Sequence, residues 1–214
     1  MKIGVLIITR GDRPKFLEHA KYLLSLQTKQ PDFIEIVDEK PLTNKCDITY
    51  RYKKGSNVLF RKGADCVLPF EDDDFYSENY IETMVKKWVE NREPLIFGLA
   101  NTIYYSLTQK KFTILKHRGR ASMMSTMISR DAVINWGEDN YPFTDLTLWN
   151  QLKGVAVEDE SGLCIGIKHG IGLCGGKAHN SNFPYSIDDK DFKYLESKVD
   201  KRSFEFYKSI NEGR

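Results

Sequence analysis

The spacing of apolar positions changes period along this chain, and those changes mark its elements. Residues 2–9, KIGVLIIT, form a continuous apolar run, the pattern of a strand buried on both faces of a parallel sheet. After the turn Arg10-Gly11-Asp12, the residues Phe16, Leu17, Ala20, Leu23 and Leu24 recur at helical spacing. Asp12 is placed to cap that helix, and Pro14 is tolerated in its first turn. A second strand, Phe33 to Val37, ends at Asp38, so about the first 40 residues read as a βαβ unit.

A polar stretch with a short helix at Asn57 to Lys62 leads to another apolar strand, Cys66 to Phe70, which runs into Glu71-Asp72-Asp73-Asp74. Ser77 opens the next helix, which carries Ile81, Met84, Val85, Trp88 and Val89 on one face and stops at Asn91 ahead of Pro94. The runs Leu95 to Leu107 and Phe112 to Leu115 flank the turn Thr108 to Lys111 and predict an antiparallel hairpin. Helices are expected at Arg130 to Trp136 and at Thr144 to Leu152, the latter with Leu148, Trp149 and Leu152 inward. A glycine-rich strand and loop, Ile165 to Gly176, precedes a polar tail that ends in helix up to Ile210. The whole predicts an α/β fold whose central sheet, mixed but mainly parallel, lies between helices.

At 214 residues the chain is long enough to bury one core, and a single domain over residues 1–214 is expected. A net charge of +2, from 32 basic and 30 acidic residues, argues against nucleic acid as a partner. The basic stretch Arg51 to Lys62 fits either a phosphate-holding surface or a solvated helix face. Cys46, Cys66, Cys164 and Cys174 form no C-x-x-C pair, and the expectation is four reduced thiols in a cytoplasmic protein. No run reaches ~18 apolar residues and the opening lacks the regions of a signal peptide, so neither a membrane span nor secretion is expected.

The four consecutive acids Glu71 to Asp74 carry the strongest chemical signal. Adjacent carboxylates repel when crowded, and a hard divalent cation relieves that. Ligands of open α/β sheets bind at the carboxyl ends of strands, which is where this cluster falls. An acidic turn capping the helix after Ser77 accounts for the same residues without a ligand.

In their strand, helix, strand-Asp, helix, strand, D-x-D order, about residues 1–155 resemble the GT-A glycosyltransferases, especially the inverting enzymes of family 2. The resemblance implies a GT-A fold with a nucleotide-sugar-binding half over about residues 1–100 and an acceptor half over about residues 101–214. It implies a nucleotide-sugar donor, a UDP-sugar or close relative, and Mn2+ or Mg2+ as cofactor. Donor contacts fall on Thr9, Asp38, Asp72, Asp73 and Lys177, with Asp38 toward the base or ribose. Metal contacts fall on Asp72, Asp74 and His179, with His169 as a rival for the last place. Glu71 departs from the Asp of many relatives, and the segment after Asp38 lacks a frequent Ser/Thr-Asp pair. The second acidic site of the family corresponds to Thr144-Asp145, which makes Asp145 the general base for a glycan or glycoprotein acceptor, with Glu138 and Asp139 in reserve. A plain first-turn acid favoured by the helix dipole is the other reading of Asp145. Arg118 and Arg120 fit an acceptor or phosphate contact, or a solvated loop. The opening and the stretch Glu71-Asp72-Asp73-Asp74-Phe75-Tyr76 are also similar to the N-terminal domain of a chlorovirus capsid-glycosylating protein, which implies a viral protein acting on a capsid glycan in the host cytoplasm. The competing functions are a non-catalytic sugar- or nucleotide-binding module, a nucleotidyltransferase and a haloacid-dehalogenase-like phosphatase. The last two expect a different loop after the first strand from Thr9-Arg10-Gly11-Asp12.

Overall fold

The computed structural model describes residues 1–40, 46–159, 161–171 and 185–212. The opening apolar run forms β1 (Ile3–Ile8), buried at every position. It is followed by α1 (Pro14–Ser25) and β2 (Phe33–Val37). Then come α2 (Ile48–Lys62), β3 (Cys66–Glu71), the short β4 (Phe75–Tyr76) and α3 (Tyr80–Glu90). β1 pairs in parallel with β2 on one side and β3 on the other. Beyond them lie β5 (Ile96–Leu99), β8 (Thr126–Ser129) and β9 (Gly154–Val157), and the sheet runs β2-β1-β3-β8-β5-β9 with β8 antiparallel to both neighbours.

β1 shows why the run is unbroken. Val5 and Ile7 pack into a core beneath α1 and α3, while Leu6 and Ile8 pack on the opposite face against Tyr52 and Leu59 of α2. Burying such a side chain is worth roughly 1.5–3 kcal/mol, so both faces of β1 contribute. α2 can lie this close because residue 55 is glycine: a Cβ there would come within 2.1 Å of the Leu6 side chain. Gly63 closes the helix in the left-handed conformation at φ 103°.

The α/β class and the mixed, mainly parallel sheet agree with expectation. Several details do not. Leu95 to Leu107 is two strands, not one: at Ala100 the chain leaves the large sheet, and β6 (Asn101–Ser106) joins a second sheet with β7 (Lys111–Lys116), β10 (Cys164–Lys168), β4 and β11 (Ile187–Asp188) in the order β11-β7-β6-β10-β4. Both sides of the switch are apolar, so periodicity does not mark it. The expected helix at Arg130 to Trp136 is irregular chain. Its backbone is tied by side chains instead, with Gln151 accepting from the Asn135 N–H at 2.9 Å and donating to the Asn135 carbonyl at 2.8 Å. The helix placed at Asn57 begins nine residues earlier, at Ile48. Val89, assigned to the inner face of α3, is 46% exposed. Asp12 does not cap α1: Arg13 holds the cap position, and Asp12 pairs with Arg10 at 2.5 Å. α4 (Thr144–Gln151) buries Leu148 and Trp149 as expected, and the tail forms α5 (Lys193–Lys198) and α6 (Lys201–Glu212). Cys66 and Cys164 are buried free thiols, but Cys46 is disulfide-bonded, which corrects the expectation of four reduced thiols and removes its support for a reducing compartment. No helix among the described residues is long and apolar enough to cross a membrane.

Candidate active site

The end of β3 and the turn into β4 present the four acids, which are held from α2, from the head of α1 and from the end of β10. Tyr52 of α2 donates to Glu71 Oε1 at 2.7 Å, and the Glu71 N–H donates to the Tyr76 hydroxyl at 2.8 Å. Stacking of Phe70 on Tyr76, with centroids 3.9 Å apart, fixes the start and end of this turn. Arg13, at the head of α1, donates to Asp72 Oδ1 at 2.5 Å and to Asp73 Oδ2 at 3.4 Å. The Ile167 N–H of β10 donates to Asp74 Oδ1 at 2.8 Å. His169, 3% exposed, accepts the Ile171 N–H on Nδ1, which leaves its proton on Nε2 for donation to Asp73 Oδ2 at 2.7 Å.

Glu71, Asp73 and Asp74 bring their oxygens within 4.8 Å of one another. Burial first, and the neighbouring carboxylates second, push Glu71 above the usual carboxylate range. Burial also pushes Asp74 well up, with Glu71 and Asp73 adding to it and Lys168 opposing. Asp73 alone is held low: burial opposes ionisation, but the His169 hydrogen bond and the charges of Arg13 and Lys168 outweigh it. The second oxygens of Asp72 and Asp74 are buried without a hydrogen bond. An unpaired oxygen beside crowded carboxylates fits a hard, oxygen-seeking cation such as Mg2+ or Mn2+. Glu71, Asp73 and Asp74 are the residues positioned to hold it.

Glu71, Asp72 and Asp73 open onto a cleft of about 590 Å³, solvent mouth included, whose walls include Thr9, Arg10, Arg13, Asp47, Arg51 and Lys168. Arg51 belongs to the stretch that fitted either a phosphate surface or a solvated helix face, yet it is 3% exposed. It donates to the carbonyls of Thr9, Val37 and Glu39 and to Asp47, tying the ends of β1 and β2 to α2. Thr9 is buried in the cleft wall with its hydroxyl lacking a hydrogen bond. Asp38 is exposed at the end of β2 beside Gly11, where a Cβ would come within 1.9 Å of the Asp38 carbonyl oxygen, and it does not line this cleft.

Asp145 stands in the first turn of α4 and accepts from Arg120 at 2.6 Å. Burial raises its pKa while Arg120 opposes, and its charge is felt at Glu71, so it shares the electrostatic environment of the acid cluster. A hydrogen bond of 2.6 Å between the hydroxyls of Thr49 and Thr144 locks this helix start to α2. Asp139 is exposed and paired with Lys53 at 3.1 Å, and Glu138 is exposed beside it. Lys177 and His179 lie outside the described residues.

The structure thus brings Asp73 and Asp74 together with Glu71, places Asp72 against Arg13, and supplies His169 from the residue after β10. Arg13 and Lys168 were not singled out from the sequence. The signal for Arg13 is its position at the head of α1, in the loop that leaves β1; Lys168 closes an apolar strand with a charge, as Glu71 does at the end of β3.

No protein-family model and no curated protein matches the chain. Among solved structures, A197 from STIV aligns with a TM-score of 0.48 at 12% identity, covering 74% of this chain and 82% of its own. S. aureus TarS 1-349 in complex with UDP aligns with a TM-score of 0.49 at 14% identity, covering 78% of this chain and 60% of its own. The same protein in complex with UDP-GlcNAc gives 0.47 at 10% identity, covering 78% and 59%.

Proposed function

We propose that this chain is a glycosyltransferase of the GT-A type that moves a sugar from a nucleotide diphosphate donor, a UDP-sugar, to an acceptor hydroxyl with the help of Mn2+ or Mg2+. The observation that carries the reading is the convergence of Glu71, Asp73 and Asp74, whose oxygens lie within 4.8 Å of one another beside a buried, unbonded Asp74 oxygen. A divalent cation would relieve that crowding, and when bound it would supply charge stabilisation for a leaving diphosphate.

The chain's own residues divide the remaining work. Arg13 holds Asp72 in place, and His169 holds Asp73, so the acids are oriented before any ligand arrives. Thr9 and Asp72 offer buried polar atoms toward the donor, and Asp38 offers an exposed carboxylate for its base or ribose. Asp145 takes the acceptor proton, favoured as a base by the burial that raises its pKa. Lys177 and His179 keep their assigned roles at the diphosphate and the metal. The acceptor is a glycan or glycoprotein hydroxyl; the likeness of residues 71–76 to the capsid-glycosylating protein supports a capsid glycan.

The test is hydrolysis of UDP-sugars with Mn2+ and with chelator. Release of UDP that chelator abolishes is the expected result. Full activity in chelator overturns the metal requirement, release of UMP or orthophosphate points to other phosphate chemistry, and binding without release points to a non-catalytic module.

A further inference from the structure

Three consecutive residues at the end of β10 serve the acid cluster in three ways. The Ile167 N–H holds Asp74, the His169 imidazole holds Asp73, and Lys168 between them lines the cleft with its ammonium 4.9 Å from the Tyr104 ring centroid. Burial opposes the charge on Lys168, yet Asp74, Glu71 and Asp73 more than compensate, and its pKa is raised. No carboxylate among the described residues lies within ion-pair distance of it, as Asp72 does of Arg13. A half-buried ammonium attracted by several acids but bonded to none of them has partners to spare and freedom to change them.

Resting on the transferase reading above, we propose that Lys168 is an exchange cation: it neutralises the acids in the free protein and, once a divalent cation occupies them, turns to the diphosphate of the donor. The acids then hold one cation or the other at full strength, because like charges a few ångströms apart repel. Tyr104, whose hydroxyl is fixed to Ser122 Oγ at 2.7 Å, offers the ammonium a cation–π resting place beside the cleft. By linkage, binding of metal and of nucleoside diphosphate becomes mutually favourable through this one side chain.

The test is calorimetry of Mn2+ alone, UDP with Mn2+, and UMP with Mn2+, on the wild type, Lys168→Met and Lys168→Arg. Lys168→Met should bind Mn2+ alone more tightly, by about tenfold, because a competing charge has gone. It should bind UDP more weakly, by about ten- to thirtyfold, with a smaller loss for UMP. Lys168→Arg keeps the charge and should stay within about threefold of the wild type for Mn2+ alone, which keeps the comparison informative if circular dichroism shows Lys168→Met to be unfolded. Unchanged or weakened Mn2+ binding by folded Lys168→Met overturns the exchange, as does tightened Mn2+ binding by Lys168→Arg. A wild type that binds neither Mn2+ nor UDP overturns the transferase reading itself, a distinct result.

Discussion

Arg13 donates to Asp72 Oδ1 at 2.5 Å, and that pair separates Asp72 from the three acids whose oxygens converge. A D-x-D spacing treats the two outer aspartates as equivalent; the fold does not. Asp72 faces a guanidinium that is itself packed on the Phe16 ring at 5.0 Å, whereas Asp74 faces a backbone N–H and converges with Glu71 and Asp73. Metal affinity should therefore divide between them. Asp74→Asn is expected to weaken Mn2+ binding by at least about tenfold, 1.4 kcal/mol, with Asp72→Asn changing it by less than about threefold. Calorimetric titration of both variants decides it, and equal losses would return Asp72 to the ligand set.

The first half of this site was legible because it depends on local order. An apolar strand that ends in acids puts them at the carboxyl end of the sheet whatever follows, and the βαβ pattern fixes the neighbours of β1. The partners of those acids were not legible, since His169 and Ile167 approach from 96 and 93 residues away. Arg51 shows a different failure. Within a basic stretch it looks like a solvated charge, and only the approach of three carbonyls and Asp47 turns it into a buried tie. The switch at Ala100 escaped for a third reason, because apolar residues on either side serve two sheets without a change of period.

His19 gives a stability prediction independent of the chemistry. It lies 3% exposed on α1, stacked on Phe206 at 4.0 Å, with Nε2 lacking a hydrogen bond. Burial lowers its pKa from 6.5 to about 4, with Asp200 opposing. Between these values the unfolded chain takes up a proton that the folded chain refuses, so stability is present above pH 6.5 and is lost as pH falls toward 4. The full loss is up to about 3 kcal/mol. His19→Phe preserves the stack and removes the titration. Denaturant midpoints of the variant should fall less steeply than those of the wild type from pH 6.5 to 4.5, and parallel curves would show that His19 is not the group responsible.

Asp145 makes the sharpest kinetic claim, since its pairing with Arg120 and its burial act in opposite directions on the same proton. As a general base it should affect the chemical step, and Asp145→Asn is expected to lower turnover by about 10² to 10⁴-fold. The dissociation constant of the metal-bound donor should move by less than about tenfold, 1.4 kcal/mol. Arg120→Met supplies the complementary measurement. Arg120 holds the Asp145 pKa down against burial, so its removal should raise that pKa further and shift the acid limb of the pH–rate profile to higher pH. A merely structural role for the pair would lower the rate without moving that limb. Loss of donor binding together with rate in Asp145→Asn would instead place the carboxylate on the donor sugar. An unaffected rate in Asp145→Asn, joined to retention of anomeric configuration in the product, would remove the protein base and the inverting mechanism with it.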